Sequence, residues 1–173
     1  MIKTPVCQII GYKNAGKTTL MHKLIRHYSE QGLRVGAIKH HGHGGEPERI
    51  EGTDSTSHMD AGAFISGVQG ETTLQLSLHS GEHTDLSDIL KMYEYFRLDL
   101  ILIEGYKHAP FPKVILLKGT EDEYLLNEMT HPIAIGSLNK ELLQNRNMYT
   151  IPLTEIDKRI SEMAAHIYKS VIK

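Results

Sequence analysis

The chain opens on a short continuous apolar run, Val6-Cys7-Gln8-Ile9-Ile10, with the length of a buried strand and a glycine at its end. From about Gly16 to Gln31 the period changes. Leu20, Leu24, Ile25 and Tyr28 recur at three- and four-residue steps, which gathers them on one face of a helix. Gly32 ends that helix in the manner of a C-terminal glycine, and Leu33 to Ile38 supplies a second apolar run. A strand, a helix and a second strand in this order imply parallel pairing, because parallel strands need a crossover between them.

Residues 39 to 52 are rich in Gly, His and Glu and contain Pro47, so they are expected to form a long loop. Asp54 or Ser55 is placed to cap a short helix ending near Gly62. Ala63 to Val68 and Thr72 to Leu78 then predict two strands joined through Gly70 as a hairpin. A helix over about Asp85 to Phe96 leads into Leu98-Asp99-Leu100-Ile101-Leu102-Ile103, an unbroken run of the kind found in central parallel strands. Lys113 to Leu117, Pro132 to Ile135 and Met148 to Ile151 are further strand candidates. Thr154 to about Lys169 is a terminal helix with Ile156, Ile160, Met163, Ala164 and Ile167 on one side. This alternation predicts an α/β, three-layer P-loop NTPase fold with a mostly parallel central sheet and an added β-hairpin. The 173 residues suit a single nucleotide-binding domain over 1–173.

Composition changes this picture little. A hydrophobic fraction of 40% and a charged fraction of 23% are ordinary for a soluble domain. The formal charge of -2 gives no sign of a surface for nucleic acid. No apolar run approaches the roughly 20 residues of a membrane span, and the start shows no basic, apolar and small-residue signal pattern, so the cytoplasm is the expected compartment. A lone Cys7 excludes an intrachain disulfide framework. The feature asking for a chemical explanation is histidine, 11 in all, with His40, His41 and His43 close together.

Gly11-Tyr12-Lys13-Asn14-Ala15-Gly16-Lys17-Thr18 has the full spacing of a Walker A loop between the required strand and helix. Glycines let the backbone N–H groups and the helix N-terminus close around an anion. Lys17 then faces the β- and γ-phosphates, Thr18 offers its hydroxyl to Mg2+, and Thr19 lies toward the α-phosphate. Lys13 either flanks the phosphates or is a solvated loop lysine. Glu104, at the C-terminal end of an apolar strand, is the Walker B candidate, a metal ligand or catalytic water-orienting group; the alternative is an ordinary turn with Gly105. Asp99 starts the same strand, roughly 16 Å away at about 3.3 Å per residue, and so belongs to the opposite edge.

Lys39, His40 and His43 emerge on the cradle's side of the sheet. They suit a substrate or anion loop better than a zinc site, which would need further ligands such as His58 or Glu46. Asp54 is either a metal ligand that reaches Mg2+ or the γ-phosphate, or part of a helix cap.

The cradle, Lys39-His40 with His43, Gly52-Thr53-Asp54-Ser55, Ala61-Gly62-Ala63, Leu102-Ile103-Glu104-Gly105-Tyr106-Lys107 and Pro112-Lys113 occur in one order. Together they resemble the molybdopterin-guanine dinucleotide biosynthesis adaptor family, MobB. The resemblance implies a GTP- and Mg2+-binding adaptor with weak GTPase activity, homodimeric in the family's manner. It implies as partners molybdopterin and the MobA-type guanylyltransferase that attaches GMP to it. The residues by themselves support a nucleoside triphosphate with magnesium: Asn139-Lys140-Glu141 is followed by Leu142, where a guanine-specific Asn-Lys-X-Asp motif has an acid. Two other readings share the cradle, a small-molecule kinase and a metal-delivery GTPase.

Overall fold

The computed structural model describes residues 2–40, 52–79 and 84–172. In chain order the elements are β1 (Val6–Gly11), α1 (Lys17–Glu30), β2 (Val35–Lys39), α2 (Asp54–Asp60), β3 (Ile65–Gln69), β4 (Leu74–Leu78) and α3 (Leu86–Glu94). They continue with β5 (Leu100–Glu104), β6 (Lys113–Leu117), α4 (Leu125–Glu128), β7 (Pro132–Ser137), β8 (Tyr149–Pro152) and α5 (Ile156–Val171). Two compact units result, Met1–Gly42 with Leu90–Lys173, and His43–Ile89.

The larger unit is built on six strands in the order β2-β5-β1-β6-β7-β8, and every neighbouring pair is parallel. All six therefore deliver their C-terminal ends to one edge, where open α/β sheets bind ligands. The three central strands β5, β1 and β6 are buried along their whole length, which is why they read as continuous apolar runs. Side chains still alternate between faces. Cys7, Ile9, Leu100, Leu102, Val114 and Leu116 pack with Leu20, Leu24 and Tyr28 of α1 and Met163 and Ile167 of α5. Ile10, Ile115 and Ile135 point the other way, against Leu125 and Met129 around α4 and Leu142 and Leu143 beyond β7. Each fully buried Leu or Ile contributes about 1.5–3 kcal/mol through removal from water, so the sheet is anchored from both sides.

Two boundaries differ from the sequence expectation. β5 starts at Leu100 rather than Leu98, because Asp99 is spent on a clasp: its Oδ2 accepts from Arg34 N at 2.7 Å and its own N–H donates to Arg34 O. This fixes Asp99 at the edge opposite Glu104. Helix α4 has no periodic signature; four residues are too few to show one, and burial of Leu125 holds it.

The connection from β5 to β6 crosses β1 without a helix. Two buried polar side chains under it do the holding. Gln8, 0% exposed, donates from Nε2 to Gly105 O at 3.0 Å and Tyr106 O at 2.6 Å. Lys113, also 0% exposed, donates from Nζ to Ala109 O at 2.7 Å and Thr130 Oγ1 at 3.3 Å; burial pulls its pKa below the usual lysine range. Three of their partners, Gly105 O, Tyr106 O and Ala109 O, are backbone carbonyls that a helix would otherwise have satisfied internally.

In the smaller unit α2 packs on β3, which pairs antiparallel with β4 from Ile65↔Leu78 to Gln69↔Leu74. Gly70 N donates to Thr73 O at 2.8 Å and closes the expected hairpin. Residues 65, 67 and 69 share a face with 78, 76 and 74, so Ile65, Leu74, Leu76 and Leu78 form one apolar surface. Ile65, Leu74 and Leu76 remain exposed by roughly half.

Candidate functional site

The cradle begins where β1 runs out. Gly11 has φ +152°, and a Cβ there would lie 2.6 Å from Leu116 O on the neighbouring strand, so only glycine lets the backbone turn off the sheet at this point. Asn14 at φ +66° and Gly16 at φ +93° complete the wrap, and α1 starts at Lys17. Its first N–H groups accordingly face the concavity of the loop.

Lys17 reaches back over this loop and donates to Tyr12 O at 2.8 Å. Partial burial lowers its pKa, the Glu104 carboxylate opposes that, and the cations Lys107 and Lys39 lower it further. Thr18 Oγ1 lies 3.1 and 3.0 Å from the two carboxylate oxygens of Glu104. Glu104 is 8% exposed, in register with Ile9 on one side and Lys39 on the other. A hydroxyl and a carboxylate in contact form a hard-oxygen donor set that fits Mg2+, which takes one or two protein oxygens beside phosphate and water. The sequence-predicted residues Lys17, Thr18 and Glu104 are thus brought together. Thr19 is exposed in the first turn of α1, and Lys13 is exposed on the loop.

Lys39 ends β2 on the same edge and His40 follows it. His40 N donates to Glu104 O at 2.9 Å, and its ring stacks on Tyr106 at 4.2 Å between centroids and 27° between planes. Gly105 at φ +101° makes room, since a Cβ there would stand 3.0 Å from His40 Cβ. His43 lies outside the described residues. Asp54 is the first residue of α2 in the smaller unit, and the N-cap is Thr53, which corrects the expectation that Asp54 or Ser55 occupies the cap. Among the described residues no group of three or more His, Cys, Asp or Glu is placed to hold a metal.

Some contacts around the predicted cradle residues escaped the sequence reading. Tyr12 pairs its hydroxyl with that of Tyr124, and the Lys107 ammonium sits 3.7 Å from the Tyr12 ring centroid. Beside the cradle, Asn14, Ala15, Leu117, Lys118, Leu138 and Asn139 line a recess of about 330 Å³ at the C-terminal ends of β6 and β7. Asn139 Oδ1 accepts from Glu141 N at 3.0 Å, and Leu142 is 4% exposed within the core. The place where a guanine motif carries its acid is therefore a packing position.

Comparison with known proteins places this geometry. The family model described as "MobB: Molybdopterin guanine dinucleotide synthesis protein B" matches residues 6–137. The chain belongs to the MobB family. That match runs from the start of β1 to the last residue of β7, and so includes the cradle, Lys39-His40, Glu104 and the crossover under which Gln8 sits. Among MobB relatives, the probable molybdopterin-guanine dinucleotide biosynthesis adapter protein of Bacillus subtilis (strain 168) is 42% identical over 119 residues, 68% of each chain. The corresponding adapter protein of Escherichia coli (strain K12) is 33% identical over 138 residues, covering 77% of this chain and 78% of that one. The crystal structure of Bacillus subtilis MobB superposes with a TM-score of 0.75 at 37% identity, covering 91% of this chain and 97% of that one. The MobB homolog from Bacillus stearothermophilus gives 0.74 at 31%, covering 95% and 98%. No described helix is long and apolar enough to cross a membrane.

Proposed function

We propose that this MobB family chain acts in molybdopterin-guanine dinucleotide biosynthesis as an adapter that holds GTP with Mg2+. The single observation that carries the reading is the contact of Thr18 with Glu104 beneath a glycine-built loop and Lys17. Lys17 exchanges its bond to Tyr12 O for the β- and γ-phosphates. Thr18 and Glu104 hold Mg2+, which when bound neutralises charge on the phosphate oxygens. The recess at Asn14, Lys118 and Asn139 takes the base. Glu104 orients water for slow hydrolysis, Lys39, His40 and His43 belong to the anion or substrate loop, and Asp54 is a further candidate metal ligand.

The partners in this reading are molybdopterin, a MobA-type guanylyltransferase and a second copy of the chain. The hairpin face of Ile65, Leu74 and Leu76 supports the homodimer, because a monomer seldom leaves such a surface open to water. Family membership favours this adapter over a small-molecule kinase.

Calorimetry with GTP and ATP, each with Mg2+, tests the reading. Lys17→Ala and Thr18→Ala are each expected to lose about 10- to 100-fold in triphosphate affinity, the worth of one hydrogen bond to a charged group. Glu104→Gln is expected to keep most of the binding and lose hydrolysis. Unchanged affinity in both cradle variants, or a wild-type chain that binds neither nucleotide, refutes the assignment.

A further inference from the structure

The cradle's own lysine does not exhaust the positive charge at this edge. Lys107 stands three residues beyond Glu104, on a segment with little freedom. Gln8 ties down the carbonyls of Gly105 and Tyr106, Tyr106 adopts φ +51°, and Ala109 N donates to Tyr106 O at 2.9 Å to close the turn. The backbone of Lys107 is thus placed by the fold, whereas its side chain is flexible and half-buried. Its ammonium rests on the ring of Tyr12, 3.7 Å from the centroid; among the described residues it forms no ion pair with a carboxylate. Tyr12 is the second residue of the cradle, so the resting place of this cation is the lip of the phosphate loop itself.

Like charges repel, and Lys107 with Lys39 is near enough to Lys17 to act on its ammonium, against one opposing carboxylate, Glu104. A fold gains nothing in stability from such a gathering. It gains in the binding of a polyanion, where each added negative charge is met by a cation already in position. A ring face holds an exposed ammonium weakly, and a phosphate oxygen holds it more strongly because the hydrogen bond is charge-assisted at both ends.

We propose that Lys107 is the residue by which this cradle tells a nucleoside triphosphate from a diphosphate, leaving the Tyr12 ring to bind the terminal phosphate. The inference rests on the triphosphate-binding reading above and assigns a specificity role within that site. Lys17 serves both nucleotides through the β-phosphate; Lys107 serves the one that has a third phosphate.

Titration of the 173-residue chain with GDP and with a non-hydrolysable GTP analogue, both with Mg2+, reads this directly. Lys107→Met is expected to lose about tenfold for the triphosphate analogue, as for one charge-assisted hydrogen bond, and to change for GDP by under about twofold. Tyr12→Leu, which removes the ring and keeps Lys107, is expected to bind the analogue about threefold more tightly, the release of a weakly held cation. Equal losses for both nucleotides in Lys107→Met, or no loss for either, would overturn the proposal while leaving the cradle assignment intact, provided Lys17→Ala still loses about 10- to 100-fold in triphosphate affinity. A wild-type chain that binds neither nucleotide overturns both.

Discussion

Gln8 offers the sharpest quantitative test of how the site is held. The side chain is 0% exposed, both its amide hydrogens are used on Gly105 O and Tyr106 O, and its Oε1 has no partner among the described residues. In Gln8→Leu two carbonyls lose the Gln8 donor, each bond being worth about 1 kcal/mol net; Tyr106 O keeps its bond from Ala109 N, whereas Gly105 O loses its side-chain partner at somewhat greater cost. Part of that is offset, because leucine also removes the unpartnered oxygen and buries more apolar surface. The expected loss is about 1–3 kcal/mol. At 2–4 °C per kcal/mol for a chain of this size, the thermal midpoint falls by about 2–12 °C.

Gln8→Glu behaves differently and in a pH-dependent way. A carboxylate facing two carbonyl oxygens has nothing to accept from, whereas its protonated form donates one hydrogen bond, so the native state raises its pKa above the unfolded value near 4.3. Stability is then fully present below about pH 4 and falls by up to about 1.4 kcal/mol per pH unit above it, until the native pKa is reached. Urea unfolding followed by circular dichroism at pH 4, 5.5 and 7 measures both variants against wild type. If Gln8→Leu stays within about 0.5 kcal/mol of wild type and Gln8→Glu shows no added pH dependence, the crossover is not held in the way described.

Burial pushes the Cys7 thiol up to about 12, the backbone contact at Val114 and the charge of Lys113 opposing this only in part. A disulfide reagent at pH 8 is expected to label no thiol in the native chain and one in denaturant; native labelling at the rate of a free cysteine would show that the β1 core opens. For the hairpin, sedimentation is expected to give a dimer for wild type and a monomer for Leu76→Lys with unchanged helical signal. A wild-type monomer removes the pairing proposal.

Much of the fold was legible because burial wrote it plainly. Val6–Ile10, Lys113–Leu117 and the run ending at Glu104 are buried on both faces, so they show as unbroken apolar segments. The face of α1 shows as the spacing of Leu20, Leu24 and Tyr28. The cradle was legible because its glycines answer to backbone geometry, as Gly11 against Leu116 O demonstrates. Gln8 and Lys113 were not. One reads as a stray polar residue in a strand and the other as a strand's first residue, and their role depends on a connection that only the strand order reveals. The same holds for Lys107, whose place over Tyr12 joins residues 95 positions apart.

The packing role of Leu142 bears on what this lineage can become. An acid at that position would enter the apolar cluster of Ile115, Met129 and Ile135, at a cost of several kcal/mol if charged. A single mutation therefore converts Asn139-Lys140-Glu141-Leu142 into the base-reading motif of the common guanine nucleotide switches only at a large cost in stability. In the proposed reading, where the neighbouring recess takes the base, selection for a preferred base acts on its walls at Asn14, Lys118 and Asn139, where side chains can change and the core stays as it is.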